Sequence, residues 1–348
     1  MAVIETRDLR KTYGRVEALR GVTLKVEPGE VFGLLGQNGA GKTTLIKILL
    51  GIVKFGDGEA TLFHHPAGTA EVRKRVGYLP EDHRFPEYHS AFSLLDYYGT
   101  LYGMSKDDRR RKIPELLDQV GLAARMNDKI RTYSKGMKQR TGIAQAIFHD
   151  PELIFLDEPT DGVDPVGRQE IREIIEERRR KGATVFVNSH LLGEIEMMCD
   201  RVAIMQKGEL IREGTVQELT AQRGVFILGV EERNAFPEDE LRQMGYNLRA
   251  TRDRWEITLK DGQSIEPVLQ LVREKGLRLT HMVEKRQTLE DIFVSLVEAA
   301  EPGVEARRKK RIADRDRDDR GRGRDRDRDP YDDRYRDDDR RGRGGDHR

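Results

Sequence analysis

The 348-residue chain balances 63 Lys and Arg residues against 62 Asp and Glu residues, and 36% of its residues are apolar. Such a length and apolar content suffice for about two domains, while the balanced charge gives no argument for nucleic acid, anionic lipid or an acidic substrate as a partner. The single cysteine, Cys199, excludes an internal disulfide, and no run approaches the ~18 apolar residues of a membrane-spanning helix, so any membrane role would pass through a partner.

Short apolar runs alternate with helical stretches from residue 1 to about residue 220. Continuous apolar runs of this kind predict strands that are buried on both faces, and such strands are typical of parallel α/β sheets. The clearest runs cover residues 31–35, 153–156 and 184–187. We therefore predict a mainly parallel sheet as the core of this region.

A glycine-rich loop follows the first of these runs. Its sequence is Gly36-Gln37-Asn38-Gly39-Ala40-Gly41-Lys42-Thr43, and Thr44 continues into a helical run. The loop fits the pattern G-x-x-x-x-G-K-[ST] between a strand and a helix, which is the context that a P-loop requires. Backbone N–H groups of such a loop wrap phosphates, Lys42 would reach the β- and γ-phosphates, and the Thr43 hydroxyl would ligate Mg²⁺.

The pattern between about residues 86 and 150 changes to helices only. Apolar and aromatic side chains recur there at helical spacing: Leu94, Leu95, Tyr98, Leu101 and Tyr102. Such spacing indicates a helix with one apolar face. We interpret that face as core, and part of the opposite face is a candidate for docking a helix of a partner protein.

Two carboxylates, Asp157 and Glu158, end the apolar run at 153–156. Ligands of open α/β folds bind at the carboxyl ends of the strands, which places this pair near the P-loop. Asp157 suits a role in holding Mg²⁺. Glu158 suits the orientation and deprotonation of an attacking water, because phosphoryl transfer mainly needs positioning and a proton acceptor.

Two further segments complete the chain. Residues 222–300 alternate like strands around Trp255 and predict a small α+β domain. Residues 301–348 consist of Arg/Asp repeats with glycine and almost no apolar residues, a composition typical of a disordered tail.

A second loop and helix carry a more specific motif, Tyr133-Ser134-Lys135-Gly136-Met137-Lys138-Gln139-Arg140. Ser134 is a favourable N-cap, Gly136 allows close backbone approach, and the following helix, to about residue 148, points its positive end at an anion. With this motif, residues 1–219 resemble the nucleotide-binding domain of ABC transporters. In that family the anion is the γ-phosphate held by the P-loop of the opposite subunit, so the resemblance implies a composite site and a dimer.

The resemblance assigns further residues and an architecture. Tyr13 resembles the aromatic residue that stacks on adenine, Asp164 the loop aspartate that communicates between subunits, and His190 the histidine that contacts the γ-phosphate. The implied fold is an α/β P-loop NTPase cassette with a mainly parallel sheet, an antiparallel edge sheet and a helical subdomain. The cassette spans residues 1–220 and is followed by the small domain at 222–300 and the tail at 301–348.

Two features depart from the family pattern. The loop before Asp164 reads Asp161-Gly162-Val163 instead of the commoner Ser-Gly-Leu, and the second departure is Glu81. After Gly77-Tyr78-Leu79-Pro80 the family usually has glutamine, whereas this chain has Glu81. A glutamate still offers an oxygen to Mg²⁺ or to its water, but it cannot donate the hydrogen bond of an amide.

The implied function is that of an ATP-binding and ATP-hydrolysing subunit of an ABC transporter. Residues 222–300 resemble the extension found behind cassettes of the ABC-2 export type, which favours export through a separate polytopic permease by a homodimer of this chain. Its location would be cytoplasmic, on the inner face of the membrane. The alternative is a cytosolic ABC ATPase acting on nucleic acid or ribosomes, or a protein that only binds ATP. One cassette, no heptad insertion and an intact Glu158 favour the transporter.

Overall fold

The largest sheet contains most of the apolar runs of the sequence. The computed structural model describes residues 1–220, 224–232, 235–251, 253–260, 262–285 and 288–300. The sheet is built from β3 (Val31–Gly36), β6 (Val76–Leu79), β7 (Leu153–Asp157), β8 (Thr184–Asn188), β9 (Arg201–Gln206) and β10 (Glu209–Thr215). The strand order is β10-β9-β3-β8-β7-β6, and only β10 pairs antiparallel within this sheet. The predicted, mainly parallel α/β core is confirmed.

Every residue of β3, β7 and β8 is buried. Strands covered on both faces have no solvent side, which explains why their sequences show continuous apolar runs instead of alternation. In the register of these strands, Asn188 lies beside both Leu34 and Asp157. The carboxyl ends of the three strands therefore meet at one edge, where the P-loop begins.

A second sheet is antiparallel and lies next to the P-loop helix. It consists of β1 (Ile4–Tyr13), β2 (Val16–Val26), β4 (Asp57–Leu62) and β5 (His65–Pro66) in the order β2-β1-β4-β5. Its apolar side chains share one core with those of α1 (Lys42–Leu49), among them Leu24 and Ile46. This sheet corresponds to the antiparallel edge sheet implied by the family resemblance.

Helices connect and cover the strands of the cassette region. They are α2 (Ala70–Lys74), α3 (Ala91–Leu101), α4 (Lys106–Gln119), α5 (Lys135–Ile147), α6 (Pro165–Arg180), α7 (Leu192–Met198) and α8 (Val216–Thr220), with 3₁₀ turns at Ala123–Arg125 and Ile130–Thr132. Helices α3, α4 and α5 form the helical region expected between residues 86 and 150.

The predicted core face of α3 is only partly correct. Leu94 and Leu95 are buried, but Leu101 is 64% exposed and Tyr102 is 37% exposed. Both lie at the end of the helix, since α3 ends at Leu101 and Tyr102 is its C-cap. Helical spacing identifies a face, but it does not show where a helix extends beyond the elements that cover it.

The C-terminal part forms an antiparallel sheet with its own apolar cluster. Its elements are β11 (Val225–Val230), α9 (Glu238–Gln243), β12 (Asn247–Ala250), β13 (Trp255–Thr258), α10 (Glu266–Glu274), β14 (Leu279–Glu284) and α11 (Leu289–Ala300), and the strand order is β12-β13-β11-β14. Helix α11 packs elsewhere, because Leu289 and Ile292 join the core of the large sheet. Residues Met1–Leu296 form one compact unit. The predicted tail at 301–348 lies outside the described residues.

Candidate functional site

The P-loop lysine is buried against the loop that carries it. Lys42 is 7% exposed, and its Nζ donates to the carbonyl oxygens of Gly36 at 2.7 Å and Gln37 at 3.2 Å. Burial lowers the pKa of Lys42, and the carboxylates of Glu158 and Asp157 oppose that shift. These carboxylates therefore lie close enough to interact with the ammonium group.

The turn into α1 requires glycine. Gly41 is the N-cap of α1 and has a φ of 106°, in the left-handed region that L side chains rarely adopt. A Cβ on Gly41 would lie 2.4 Å from the carbonyl oxygen of Ala18 on β2, well inside van der Waals contact. The P-loop can therefore approach β2 closely only with glycine at this position.

Asp157 is a buried carboxylate with one unused oxygen. Its Oδ1 accepts from Nδ2 of Asn188, and among the described residues no donor reaches Oδ2. Burial raises the pKa of Asp157 to about 6, the Asn188 hydrogen bond lowers it, and the Glu81 and Glu158 charges add to the increase. An unpaired carboxylate oxygen in a buried site is a strong acceptor for a cation or a bound water.

Glu158 is held by the segment that follows β8. Its Oε1 accepts from the backbone N–H of His190 at 2.9 Å, and its Oε2 accepts from Oγ of Ser189 at 3.1 Å. The Nδ1 atom of His190 lies 2.8 Å from the same Oε2. Glu158 and His190, which were predicted separately as catalytic residues, are therefore in direct contact.

Glu158 also has an unusual backbone. Its φ is 53°, in the left-handed region, and its carbonyl oxygen accepts from Nε2 of the buried Gln139 at 2.9 Å. Its N–H donates to the carbonyl oxygen of Asn188 at 2.8 Å. Both backbone groups of Glu158 are thus fixed, the carbonyl by Gln139 of helix α5 and the N–H by Asn188 of β8.

Other predicted site residues lie at exposed positions. Ser134 is the N-cap of α5 and accepts from the N–H of Met137 at 3.3 Å, next to Gly136 in the first turn. Asp164 is the N-cap of α6 and accepts from the N–H of Gly167 at 2.8 Å. Tyr13 ends β1 and is 46% exposed. Within one subunit, these side chains are accessible to a ligand or a second protein.

The remaining predicted residues belong to the loop and its surroundings. Thr43 and Thr44 lie in the first turn of α1 and are half-buried, whereas the loop residues Gln37, Asn38 and Gly39 are exposed and Ala40 is buried. Glu81 is exposed, two residues after β6 ends at Leu79. Its charge acts on both Lys42 and Asp157.

Three residues that hold Asp157 and Glu158 have no role in the sequence-based predictions. Gln139 lies within the motif at residues 133–140, whereas Asn188 and Ser189 directly follow the apolar run at 184–187. Gln139 and Ser189 donate to Glu158, and Asn188 donates to Asp157. For Asn188 and Ser189 a signal existed, because polar residues that end a buried strand also identified Asp157. For Gln139 the sequence gives no such signal.

A cavity of about 360 Å³ lies beside the P-loop. Its lining residues are Gly36, Gln37, Asn38, Ser189, His190, Leu192 and Phe293. The lining thus combines residues of the P-loop, polar side chains and the apolar side chains of Leu192 and Phe293. Phe293 belongs to α11, and no sequence pattern predicted that this helix would reach the site.

A P-loop beside a strand-end Asp–Glu pair on a mainly parallel sheet defines a P-loop nucleoside triphosphatase. Two family models match the chain, that of the ABC transporter at residues 19–161 and that of the C-terminal domain of DrrA1-3-like ATP-binding proteins at 214–297. The chain belongs to the family of ABC transporter ATP-binding proteins.

Individual relatives agree with this family. An uncharacterized ABC transporter ATP-binding protein of Synechocystis is 40% identical over 84% of each chain. The bacitracin transport ATP-binding protein BcrA of Enterococcus faecalis is 32% identical over 85% of this chain and 96% of its own. The linearmycin resistance ATP-binding protein LnrL of Bacillus subtilis is 36% identical over 64% of this chain and 72% of its own.

A solved structure shares the fold. An ATP-binding subunit of an ABC transporter is 31% identical, with a TM-score of 0.59 over 63% of this chain and 92% of its own. The chain is therefore a nucleotide-binding ATPase subunit of the transport type. The family match, the relatives and the solved structure all favour transport over action on nucleic acid. In the part of the chain that the structure describes, no helix has the length and apolar character needed to cross a bilayer.

Proposed function

We propose that this chain hydrolyses ATP in composite sites formed by two copies and powers export through a separate polytopic membrane subunit. The observation that carries the catalytic part is the contact of Glu158 with Ser189 and His190 in a buried site beside Lys42. Export is supported by relatives named for antibiotic resistance and transport, together with the DrrA-like C-terminal match.

The ammonium group of Lys42 lies against the P-loop that would hold the phosphates. It donates to two carbonyl oxygens of the P-loop, and phosphate oxygens carry more negative charge than these carbonyls. The β- and γ-phosphates of ATP would take over those contacts. Positioning and charge stabilisation of this kind supply most of the catalysis in phosphoryl transfer.

Glu158 would accept a proton from the attacking water. Two donors hold its carboxylate and fix the orientation of its oxygens. A side chain that is already oriented loses less entropy when it engages the water than a freely rotating one. His190 lies against the same carboxylate and on the cavity beside the P-loop. This arrangement supports a role for His190 in contacting the γ-phosphate.

The donor set fits Mg²⁺ only when nucleotide is present. Among the described residues, no group of three or more His, Cys, Asp or Glu side chains is arranged to hold a metal ion. Mg²⁺ is usually held by one or two carboxylates together with substrate phosphates, and the unpaired Oδ2 of Asp157 offers such a ligand. Thr43 and Glu81 would complete the protein's contribution. The ion would neutralise charge on the β- and γ-phosphate oxygens.

The exposed N-terminus of α5 would complete the site of a second subunit. Ser134 and Gly136 lie where free N–H groups and the helix dipole favour an anion, which would be the γ-phosphate on the partner's P-loop. Asp164 would communicate between the subunits, and Tyr13 would stack on adenine. Ser134, Asp164 and Tyr13 are exposed and therefore accessible for such contacts. Gly136 is half-buried and lies two residues after Ser134.

The membrane subunit would dock on three large exposed side chains, one shortly before α3 and two on α3 itself. Tyr88 is 70% exposed, Tyr97 is 54% exposed and Leu101 is 64% exposed, and the Tyr97 and Tyr98 rings are in contact. We call Tyr88, Tyr97 and Leu101 the α3 surface. Exposed apolar side chains grouped in this way are typical of protein interfaces. Such docking would place the chain on the inner face of the cell membrane.

Replacement of Glu158 by glutamine tests the catalytic assignment. The amide oxygen can keep the bond from the N–H of His190, so folding and ATP affinity should be retained. Turnover should fall by about 10²–10⁴, which is typical of lost general-base catalysis. ATPase assays and nucleotide titration measure both effects, and Glu209→Gln on β10 is an exposed control. Near-normal turnover of Glu158→Gln would remove Glu158 from this role.

A further inference from the structure

Helix α11 is anchored to the helix that follows His190. The N–H of Leu289, at the start of α11, donates to Oε2 of Glu196 on α7 at 2.9 Å. Leu289 is fully buried and Ile292 is 8% exposed, in the same core as Ile195 of α7. The start of the last described helix is therefore fixed to α7 by one charge-assisted hydrogen bond and by apolar packing.

One turn further along, α11 reaches the nucleotide site. Phe293 lines the cavity beside the P-loop, together with His190 and Leu192. A phenylalanine ring is large and apolar, so it excludes water from that wall and restricts the space into which neighbouring residues can move. Helix α11 thus contacts both the cavity and α7, the helix that directly follows His190.

Helix α7 is also held by α6. The carboxylate of Glu194 is 11% exposed and forms ion pairs with Arg172 and Arg168, both on α6. Helix α6 begins at the N-cap Asp164. The short helix α7 is therefore fixed by two ion pairs to α6 and by the contact with α11.

We propose that α11 is a positioning element of the ATPase site. Glu196 sets the place where α11 begins on α7, and Phe293 closes the wall beside the P-loop, so that together they fix His190. Because His190 contacts Glu158 through both its N–H and its Nδ1, movement of α7 would misalign the Glu158 carboxylate. The inference rests on the proposed roles of Glu158 and His190, and it makes the C-terminal part a requirement for turnover.

The competing explanation is that α11 only adds apolar burial. Leu296 separates the two explanations, since it packs against the same core from the same helix but does not line the cavity. Truncation of either residue removes buried apolar surface and should lower stability. Only truncation of Phe293 opens the wall beside His190.

The test compares Phe293→Ala, Glu196→Ala, Phe293→Leu and the control Leu296→Ala in the full chain. For Phe293→Ala we expect kcat to fall about tenfold or more, since small misplacements at a catalytic site have large effects, while KM for ATP changes less than about twofold. Glu196→Ala should act in the same direction. Phe293→Leu should restore most of the turnover, and Leu296→Ala should lower the melting temperature without the loss in kcat.

The inference is overturned if Phe293→Ala leaves kcat unchanged, or if Leu296→Ala lowers kcat equally at the same loss in melting temperature. Glu158→Gln in the same assay keeps this outcome separate from the catalytic assignment. If Glu158→Gln abolishes turnover and Phe293→Ala does not reduce it, only the role of α11 fails. If Glu158→Gln retains turnover, the catalytic assignment fails first.

Discussion

At Asp157, burial disfavours the ionised form of the carboxyl group, and neighbouring carboxylates add to this effect. The residue is 1% exposed, its neighbours include the carboxylates of Glu81 and Glu158, and its pKa is raised to about 6. The free protein therefore carries an ionised group that it only partly solvates at neutral pH. Functional sites often retain such a group because the ligand supplies the missing partner.

Asp157→Asn should stabilise the protein when metal and nucleotide are absent. The native pKa of Asp157 lies above its unfolded value, so the ionised form costs stability above about pH 6, and this cost disappears below about pH 4. Asparagine removes the cost, and the free energy of unfolding should rise by about 1–3 kcal/mol near pH 7.5.

Urea unfolding in EDTA at pH 7.5 and pH 4 measures this difference. The gain should be present at the higher pH and nearly absent at the lower one. Asp161→Asn is the control, because an ion pair with Lys135 lowers the pKa of Asp161 instead of raising it. A variant Asp157→Asn that is no more stable than the wild type at pH 7.5 would contradict this account.

Ser134→Arg tests the composite site at a single residue. The arginine would place bulk and positive charge where the partner's γ-phosphate is proposed to bind, and it would leave each P-loop intact. In a Glu158→Gln background, ATP-induced dimers should be lost while monomers still bind nucleotide. Sedimentation in the presence of ATP measures the dimer.

Two controls separate this effect from the loss of a helix cap. Ser134→Ala removes only the cap, at a cost of about 1 kcal/mol. Ser105→Arg changes the N-cap of α4 in the same chemical way, since Ser105 accepts from the N–H of Asp108 at 3.1 Å. ATP-bound dimers that form equally well with Ser134→Arg would argue against the composite site.

The α3 surface is a feature of one element, and its effect should be visible only with the membrane partner. Tyr97→Glu replaces an exposed ring with a charge, so it should leave basal ATPase activity unchanged but weaken docking. Co-expression with the cognate polytopic protein, followed by membrane fractionation, should show less of the variant in the membrane fraction. Stimulation of ATPase activity by the partner should fall in parallel.

Met244→Glu is a suitable control, because Met244 is 48% exposed and is the C-cap of α9. A similar loss of membrane recovery with both variants would point to a general effect of added charge. Full recovery of Tyr97→Glu would show that the α3 surface is not the docking site.

Elements with local signals were predictable from the sequence. The P-loop, the Asp157–Glu158 pair and helix α5 each follow from a short pattern, and the structure places α5 at Lys135–Ile147 with Ser134 as its cap. Contacts between distant segments were not predictable. The bond from Gln139 to Glu158 spans 19 residues, and the one from Leu289 to Glu196 spans 93. Such contacts depend on how elements pack, which local periodicity does not encode.

At the scale of the whole chain, two truncations should differ sharply. Removal of residues 301–348 should leave folding and ATPase activity nearly unchanged, because this segment has almost no apolar residues to bury. Removal from residue 289 onwards also deletes Leu289 and Ile292 from the core. Each fully buried side chain of this size contributes about 1.5–3 kcal/mol, so the shorter chain should melt at a clearly lower temperature.

Thermal unfolding and ATPase assays on both truncated chains measure these effects. The longer truncated chain, ending at Ala300, serves as the control for the shorter one. A large drop in melting temperature on removal of 301–348 alone would show that this segment contributes to the fold.

The left-handed backbone of Glu158 has an evolutionary implication for the whole family of such chains. At a φ of 53°, a glutamate costs about 1–2 kcal/mol that a glycine would not. In a lineage that no longer needed ATP hydrolysis, drift would favour replacement of this residue, whereas nucleotide binding alone would preserve the P-loop. A glutamate retained at this position in a distant sequence is therefore a better marker of continued turnover than an intact P-loop.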